Sequence, residues 1–434
     1  MSNKAEKRGL VPKLRFPEFR DSGEWEKKEL RKVAAIINKK AGNNKYTLMS
    51  ITSGVGLVSQ LEKFGREIAG AQYKNYLVIE KNDFAYNKSA TKEYSEGFIG
   101  MYSGRDPGAV PNSIFTCFRV DANTVSPKYL DYLFIGNLHG KWLKKFITVG
   151  ARAHGSLNID DNDLLAMPVP LPQGDHSITE QQKIADCFAS LDELITLEAQ
   201  KLDTLKTHKK GLMQQLFPAE GETLPKLRFP EFREAGRWEE RRLNDVCERI
   251  MDGTHFSPKS KSGPCLYLTS KNIQNGAIEL SNISYISEEE HRQIYERCPV
   301  KKNDVLLTKD GANTGNCAIN GIDFEFSLLS SVAVLRGNSL CLDQGFLYQL
   351  ILSDRTQKSI QESMSGQAIT RITLEKIGNF SIPVTSIPEQ QKIADCLASL
   401  DDLITAQTQK LAGLKTHKKG LMQQLFPALD EAAA

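Results

Sequence analysis

Forty residues of this chain occur twice, and that repetition limits its possible folds more than any other property of the sequence. Residues 180–219 (EQQKIADCFASLDELITLEAQKLDTLKTHKKGLMQQLFPA) return as 389–428 at an offset of 209, with 33 of the 40 positions identical. An earlier stretch behaves alike: residues 11–33 return as 224–246 at an offset of 213, with PKLRFPEFR identical and Trp25 answering Trp238. A period of about 210 residues is far longer than the roughly 20 to 50 of solenoids and propellers, so the chain is one module written twice. Each copy reads as a leader, a variable domain and a shared segment. From about 34 to 178 and from about 247 to 387 the copies echo each other only faintly, as in EKNDFAYNK at 80–88 beside KKNDVLLTK at 301–309, or in the apolar strands near Met167 and Phe380.

The shared segment is built to be a long helix. Residues 180–216 hold no proline and one glycine, Gly211. The apolar residues Ile184, Phe188, Leu191, Ile195, Leu202, Leu205, Leu212 and Leu216 fall at steps of three, four or seven, with Glu198 and Lys209 interrupting the seam. The second copy repeats the seam from Ile393 to Leu425. At 1.5 Å per residue such a helix spans roughly 55 Å, enough to act as a spacer. Two matching seams should pack on each other, antiparallel and related by a pseudo-twofold axis. The polar residues Gln181, Lys183, Lys209 and Lys210, repeated as Gln390, Lys392, Lys418 and Lys419, read either as a solvated helix face or as the place where two copies of one partner dock.

Composition narrows the chemistry. The 56 Lys plus Arg against 53 Asp plus Glu leave a net charge of +3, so any nucleic-acid surface must be a local patch. The eight cysteines form no CxxC pair and no zinc-ligand spacing, and read as reduced thiols. With no apolar signal core and no run of 18 apolar residues, a cytoplasmic protein is expected. There is no GxxxxGK[ST] loop, no HExxH, no GxSxG and no [DNS]PP[YFW]; the lone GVG at 54–56 lacks the context of a dinucleotide site. Neither a catalytic residue nor a metal site is expected.

Two variable domains alternating with repeated long helices, LPKLRFPEF leaders, a PxPLP-like strand entering EQQKIADC, and THKKGLMQQLFP at the helix end resemble the specificity subunit of Type I restriction-modification systems. The resemblance runs from about Pro12 to Pro427. It implies that each variable region is a target recognition domain reading one half of a bipartite, asymmetric sequence in double-stranded DNA, with the helices setting the spacing. It further implies two modification (methyltransferase) subunits on the helices and two restriction subunits beside them. S-adenosylmethionine, ATP and Mg would act in those partners, and this chain would carry no cofactor. Two other readings stand beside it: a DNA-binding regulator without enzymatic partners, and a free-standing nuclease or methyltransferase with an unrecognised site.

A DNA reader needs Lys and Arg for phosphates and Arg, Asn, Gln, Ser or Thr for base edges. Glycine-punctuated polar loops offer Lys88, Ser89, Lys92, Arg105 and Arg152 in the first domain, and Lys271, Asn272, Lys309, Asn313, Thr314 and Arg371 in the second. Each could equally be ordinary turn chemistry. Lys88 and Lys309, matched across the copies, are assigned to phosphate contact. The expected fold is mixed α/β: a tail at 1–10, recognition domains at 11–178 and 219–387, antiparallel coiled-coil helices at 179–218 and 388–427, and a tail at 428–434.

Overall fold

The computed structural model describes residues 10–52, 55–70, 72–92, 94–147, 155, 157–364 and 371–429. Both shared segments are continuous helices, Ser177–Leu216 of 40 residues and Ile387–Leu425 of 39. Pro388 is tolerated because it lies in the first turn, where its missing N–H has no partner to lose. The chain forms two compact units, Met1–Leu197 with Leu411–Ala434, and Glu198–Lys410. The units divide within the two long helices, after Leu197 and after Lys410. Each unit contains one globular domain, the first half of the helix that follows it and the last half of the other helix.

In the first unit a four-stranded sheet runs in the order Ala34–Ile36, Phe115–Val120, Phe84–Asn87, Phe98–Met101, and a second in the order Gly56–Ser59, Thr47–Thr52, Gly108–Val110, Leu77–Ile79. The second unit repeats the first of these as Cys247–Asp252, Val332–Gly337, Val305–Thr308, Cys317–Ile319, beside a three-stranded sheet Ser284–Ile286, Cys265–Leu268, Ser327–Leu328. The echo between the copies is a turn that starts a core strand. Asn82 and Asn303 take positive φ of 71° and 69°, which Asn tolerates better than most residues. Asp83 and Asp304 then cap the turn, each accepting from the backbone N–H three residues earlier. Each is also gripped by an arginine from the adjacent strand, Arg119 at 2.6 and 2.8 Å and Arg336 at 2.8 and 2.6 Å. The hydrogen bonds to these aspartates hold both guanidinium groups more firmly protonated than usual.

The leader explains why two distant segments repeat together. Trp25–Glu29 pairs antiparallel with Pro168–Pro172, and Glu239–Arg242 with Ser381–Val384, so each leader closes a ribbon onto the strand that enters its helix. Arg15 then makes a two-pronged ion pair with Glu180, 2.7 Å on both arms, and Arg228 does the same with Glu389 at 2.6 and 2.7 Å. Glu180 and Glu389 are 1% and 0% exposed, so these carboxylates depend on the arginine for their charge to be tolerated.

Within each unit the two helix halves run antiparallel. In the first, Phe188 stacks on Phe426 with ring centroids 5.6 Å apart, and Lys418 donates to Asp192. In the second, Lys209 donates to both oxygens of Asp401 at 2.6 and 2.7 Å, and Gln407 donates to Glu198 at 2.6 Å. At the repeat offset of 209, Asp192–Lys418 and Lys209–Asp401 are the same contact made once in each unit. Glu198 meets Gln407, its own duplicate. The two seam interruptions are therefore polar bonds across the helix pair. Ile184, Phe188, Leu202, Leu216, Ile393, Leu397 and Leu425 are buried, whereas the remaining seam residues are half-buried. No helix among the described residues is long and apolar enough to cross a membrane.

Two outcomes are expected. Arg15→Met alone strands a buried carboxylate and should cost about 3–5 kcal/mol, while Arg15→Met with Glu180→Met should recover most of it, measured by urea unfolding. Asp131 faces the helix pair, where burial pushes its carboxyl up to about 6. The folded state thus binds the proton more tightly than the unfolded chain. This group's cost to stability should be largest above about pH 6 and disappear as pH falls below its ordinary value. Asp131→Asn should raise the midpoint at pH 7.5 and flatten that part of the pH profile.

Candidate nucleic-acid interface and docking surfaces

In the second unit the candidate loops gather around one inward-pointing lysine. Lys309 follows the fully buried strand Val305–Thr308, and its ammonium lies 3.1 Å from Asp252 with 2% of the side chain exposed. Its backbone N–H donates to Ser331 and its carbonyl accepts from Ile372, 2.9 and 2.8 Å. The Ser331 hydroxyl accepts from the backbone of Ser270, whose carbonyl accepts from the Asn313 side chain at 3.4 Å. Arg371 pairs in a backbone bridge with Asp310, its guanidinium 3.9 Å from that carboxylate. Thr314 donates to Gly311. The loops at 252–254, 270–275, 309–316, 329–331 and 371 are thereby bound into one surface, with Lys271 and Arg371 exposed and Asn313 and Thr314 half-buried.

Two of the residues expected at the DNA have internal partners. The Lys309 ammonium is neutralised beneath the surface by Asp252, so it serves as the peg on which the loops hang. Asn272 is 4% exposed and closes a capping box with Thr269, its amide donating to Glu279 and Asn282. Both have their polar groups committed internally.

The first unit places its candidates less tightly. The Lys88 N–H donates to Ile114 and its carbonyl accepts from Leu157, the same backbone pattern as Lys309. Its ammonium is 3.0 Å from Asp161, which also accepts from Thr116, and 23% of the side chain is exposed. Ser89 is half-buried, and Lys92 and Arg105 are exposed. Arg152 lies outside the described residues.

The proposed docking residues on the helices divide sharply. Gln181 and Gln390 are fully buried. Gln181 accepts from the N–H of Ser126 and donates to the carbonyl of Thr124; Gln390 accepts from Asp343 and donates to Cys341. They thus cap the start of the equivalent helices Pro127–Ile135 and Gln344–Leu352. Lys209, 8% exposed, is spent on Asp401, and Lys418 on Asp192. The polar groups of those four are engaged within the fold. Lys183 and Lys392 are about half exposed and ride over the leader, 5.7 and 5.8 Å from the Phe16 and Phe229 rings and 3.2 and 3.3 Å from Glu18 and Glu231. Lys210 and Lys419 remain exposed.

Those last two border features that residue-by-residue reading missed. Each unit holds an apolar groove at the end of a long helix, about 840 Å³ in the first and about 650 Å³ in the second. The first is lined by Lys419, Met422, Phe426, Lys13, Lys141 and Pro170, and the second by the equivalent Lys210, Met213, Phe217, Lys226, Lys358 and Pro383. Leu194 and Leu403, also equivalent, stand 39% and 53% exposed on the helices. The signal in the sequence was the identity of KKGLMQQLFPA beyond what a helix seam requires. Among the described residues no cluster of three or more His, Cys, Asp or Glu could hold a metal ion.

Comparison with known proteins agrees with this arrangement. The chain is 23% identical over 422 residues to the putative type I restriction enzyme MjaX specificity subunit of Methanocaldococcus jannaschii, covering 93% of each. It is 25% identical over 296 residues to the MjaVIII specificity subunit of the same organism, covering 66% of this chain and 67% of that one. The crystal structure of a Type I restriction-modification S subunit from M. genitalium superposes with a TM-score of 0.59 at 16% identity, covering 97% of this chain and all of that one. A chain solved for the complex assembly and conformational transition of the type I R-M system gives 0.54 at 18%, covering 93% and 98%. The Type I restriction modification DNA specificity domain matches residues 22–207 and again 236–416. With both copies of the module matched, this chain belongs to the family of Type I restriction-modification specificity subunits.

Proposed function

We propose that this chain is the sequence-reading subunit of a Type I restriction-modification complex. Each globular domain reads one half of a bipartite, asymmetric site in double-stranded DNA, and the long helices set the spacing between the halves. Two modification subunits dock on the helical segments and two restriction subunits join them. S-adenosylmethionine, ATP and Mg act in those partners, and this chain contributes recognition without a catalytic group.

One observation carries the reading: surface is duplicated where a shared partner would sit and divergent where DNA would be read. The long-helix, leader and entering-strand residues of the groove walls match, Lys419, Met422, Phe426, Lys13 and Pro170 against Lys210, Met213, Phe217, Lys226 and Pro383, as do the exposed leucines Leu194 and Leu403. By contrast, the loops bearing Lys92 and Arg105 share no pattern with those bearing Lys271, Asn313 and Arg371. Two copies of one partner on matched surfaces, with two different DNA half-sites on unmatched ones, satisfy both facts.

Methylated-base mapping of a host carrying the system tests the recognition half. A gapped asymmetric motif is expected. Asn313→Ala with Arg371→Ala should relax one half of that motif and leave the other intact, and equal relaxation of both halves would overturn the two-reader scheme. The docking half is tested by Met422→Glu, which places a charge in one groove. Native mass spectrometry should then count one modification subunit per chain in place of two, and an unchanged count would remove the grooves from the interface.

A further inference from the structure

Phe256 is 77% exposed, the most exposed aromatic ring among the described residues. A large apolar side chain left in water forfeits the burial that stabilises the rest of the domain, and here the backbone is fixed so as to leave it there. Gly253 passes so close to the strand Ser327–Leu328 that a Cβ would meet the Leu328 carbonyl oxygen at 1.9 Å. Thr254 donates its N–H to that carbonyl and accepts from Ser330, both at 2.8 Å, and its hydroxyl accepts from the N–H of Phe256 at 3.2 Å. Beyond Pro258, both oxygens of Glu290 are taken by the backbone of Lys259 and Ser260, at 2.6 and 3.1 Å. The ring is therefore presented on a loop anchored at both ends, and ordering it against a ligand costs little entropy.

The surroundings indicate what it meets. Lys259 and Lys261 are exposed on the same loop, His255 lies 3.5 Å from Asp252, and the carboxylate of Glu290 is engaged by the loop backbone. The turn at Ser330 and Ser331 that holds Thr254 also holds Ser270, and through it the loop carrying Lys271 and Asn313. Phe256 thus belongs to the same bonded surface as the recognition loops of the second domain. A cationic surface with one rigid apolar projection matches duplex DNA, whose only apolar group at a major-groove base edge is the thymine 5-methyl.

We propose that Phe256 is a specificity-determining residue of the second recognition domain, packing its ring on the 5-methyl group of one thymine in that domain's half-site. The assignment rests on the DNA-reading function above.

The test uses the full chain assembled with its modification subunits and a duplex carrying the mapped site. Replacing each thymine of the second half-site by deoxyuridine removes only the methyl group. At one position the parent complex should bind about three- to tenfold more weakly, the scale of one buried methyl and its packing. Phe256→Ala should bind the unmodified duplex more weakly by a similar factor and ignore deoxyuridine at that position. Phe256→Leu should restore part of the preference, and the melting midpoint should stay unchanged in both variants because the ring supports no core. Phe256→Ala retaining the parent's full deoxyuridine response would overturn the proposal, as would a variant that loses a modification subunit while binding DNA normally. Failure of the parent complex to bind any gapped site would instead sink the DNA-reading function itself.

Discussion

A buried guanidinium–carboxylate pair, formed once in each unit, fixes the parts of this chain to one another. Glu180 and Glu389 stand in the first turns of helices whose next residue, Gln181 or Gln390, caps a helix of the globular domain. Removing the leader arginine would leave either carboxylate buried without its ion-pair partner, which is costly. The leader strand, the entering strand, the long helix and the domain helix consequently meet at one point. A single pair of adjacent residues, Glu-Gln, thus explains why leader and helix are repeated as a set while the intervening loops are free to differ.

That arrangement separates what must stay alike from what can change. Residues common to the copies either close the scaffold, as Asp83 with Arg119 and Asp304 with Arg336 do, or line the grooves at the helix ends. Where the divergent loops leave the matched strands, they are held by backbone hydrogen bonds, which any side chain can accompany. Lys88 and Lys309 illustrate this: their backbones bond alike, while their ammonium groups have unrelated partners, Asp161 and Asp252. Recognition surfaces can therefore change without disturbing the frame that carries them.

The helices, the duplication and the family were legible in the sequence because each is a matter of period and identity, which survive in a linear string. The direction of a long side chain is not. Lys309 sits in a polar, glycine-rich context that reads as surface, but an aspartate 57 positions earlier turns it inward. Gln181 and Gln390 are a related case: identity between copies suits a shared partner, but an internal hydrogen bond repeated in both units produces the same identity. Asn272 could have been read correctly, since Thr269 three residues before it is the spacing of a capping box. The grooves needed three dimensions, because their walls come from the leader, a domain helix and the end of the long helix at once.

The contact between Glu198 and Gln407 has a consequence of its own. Position 198 meets the position that is its own copy, so in any assembly of two identical halves the same residue would have to face itself there. Two glutamates would repel. Here the two copies carry unlike residues at that spot, and Lys410 adds a second donor to the single carboxylate. Within one chain a self-facing position has thus become a complementary couple of one carboxylate and two donors.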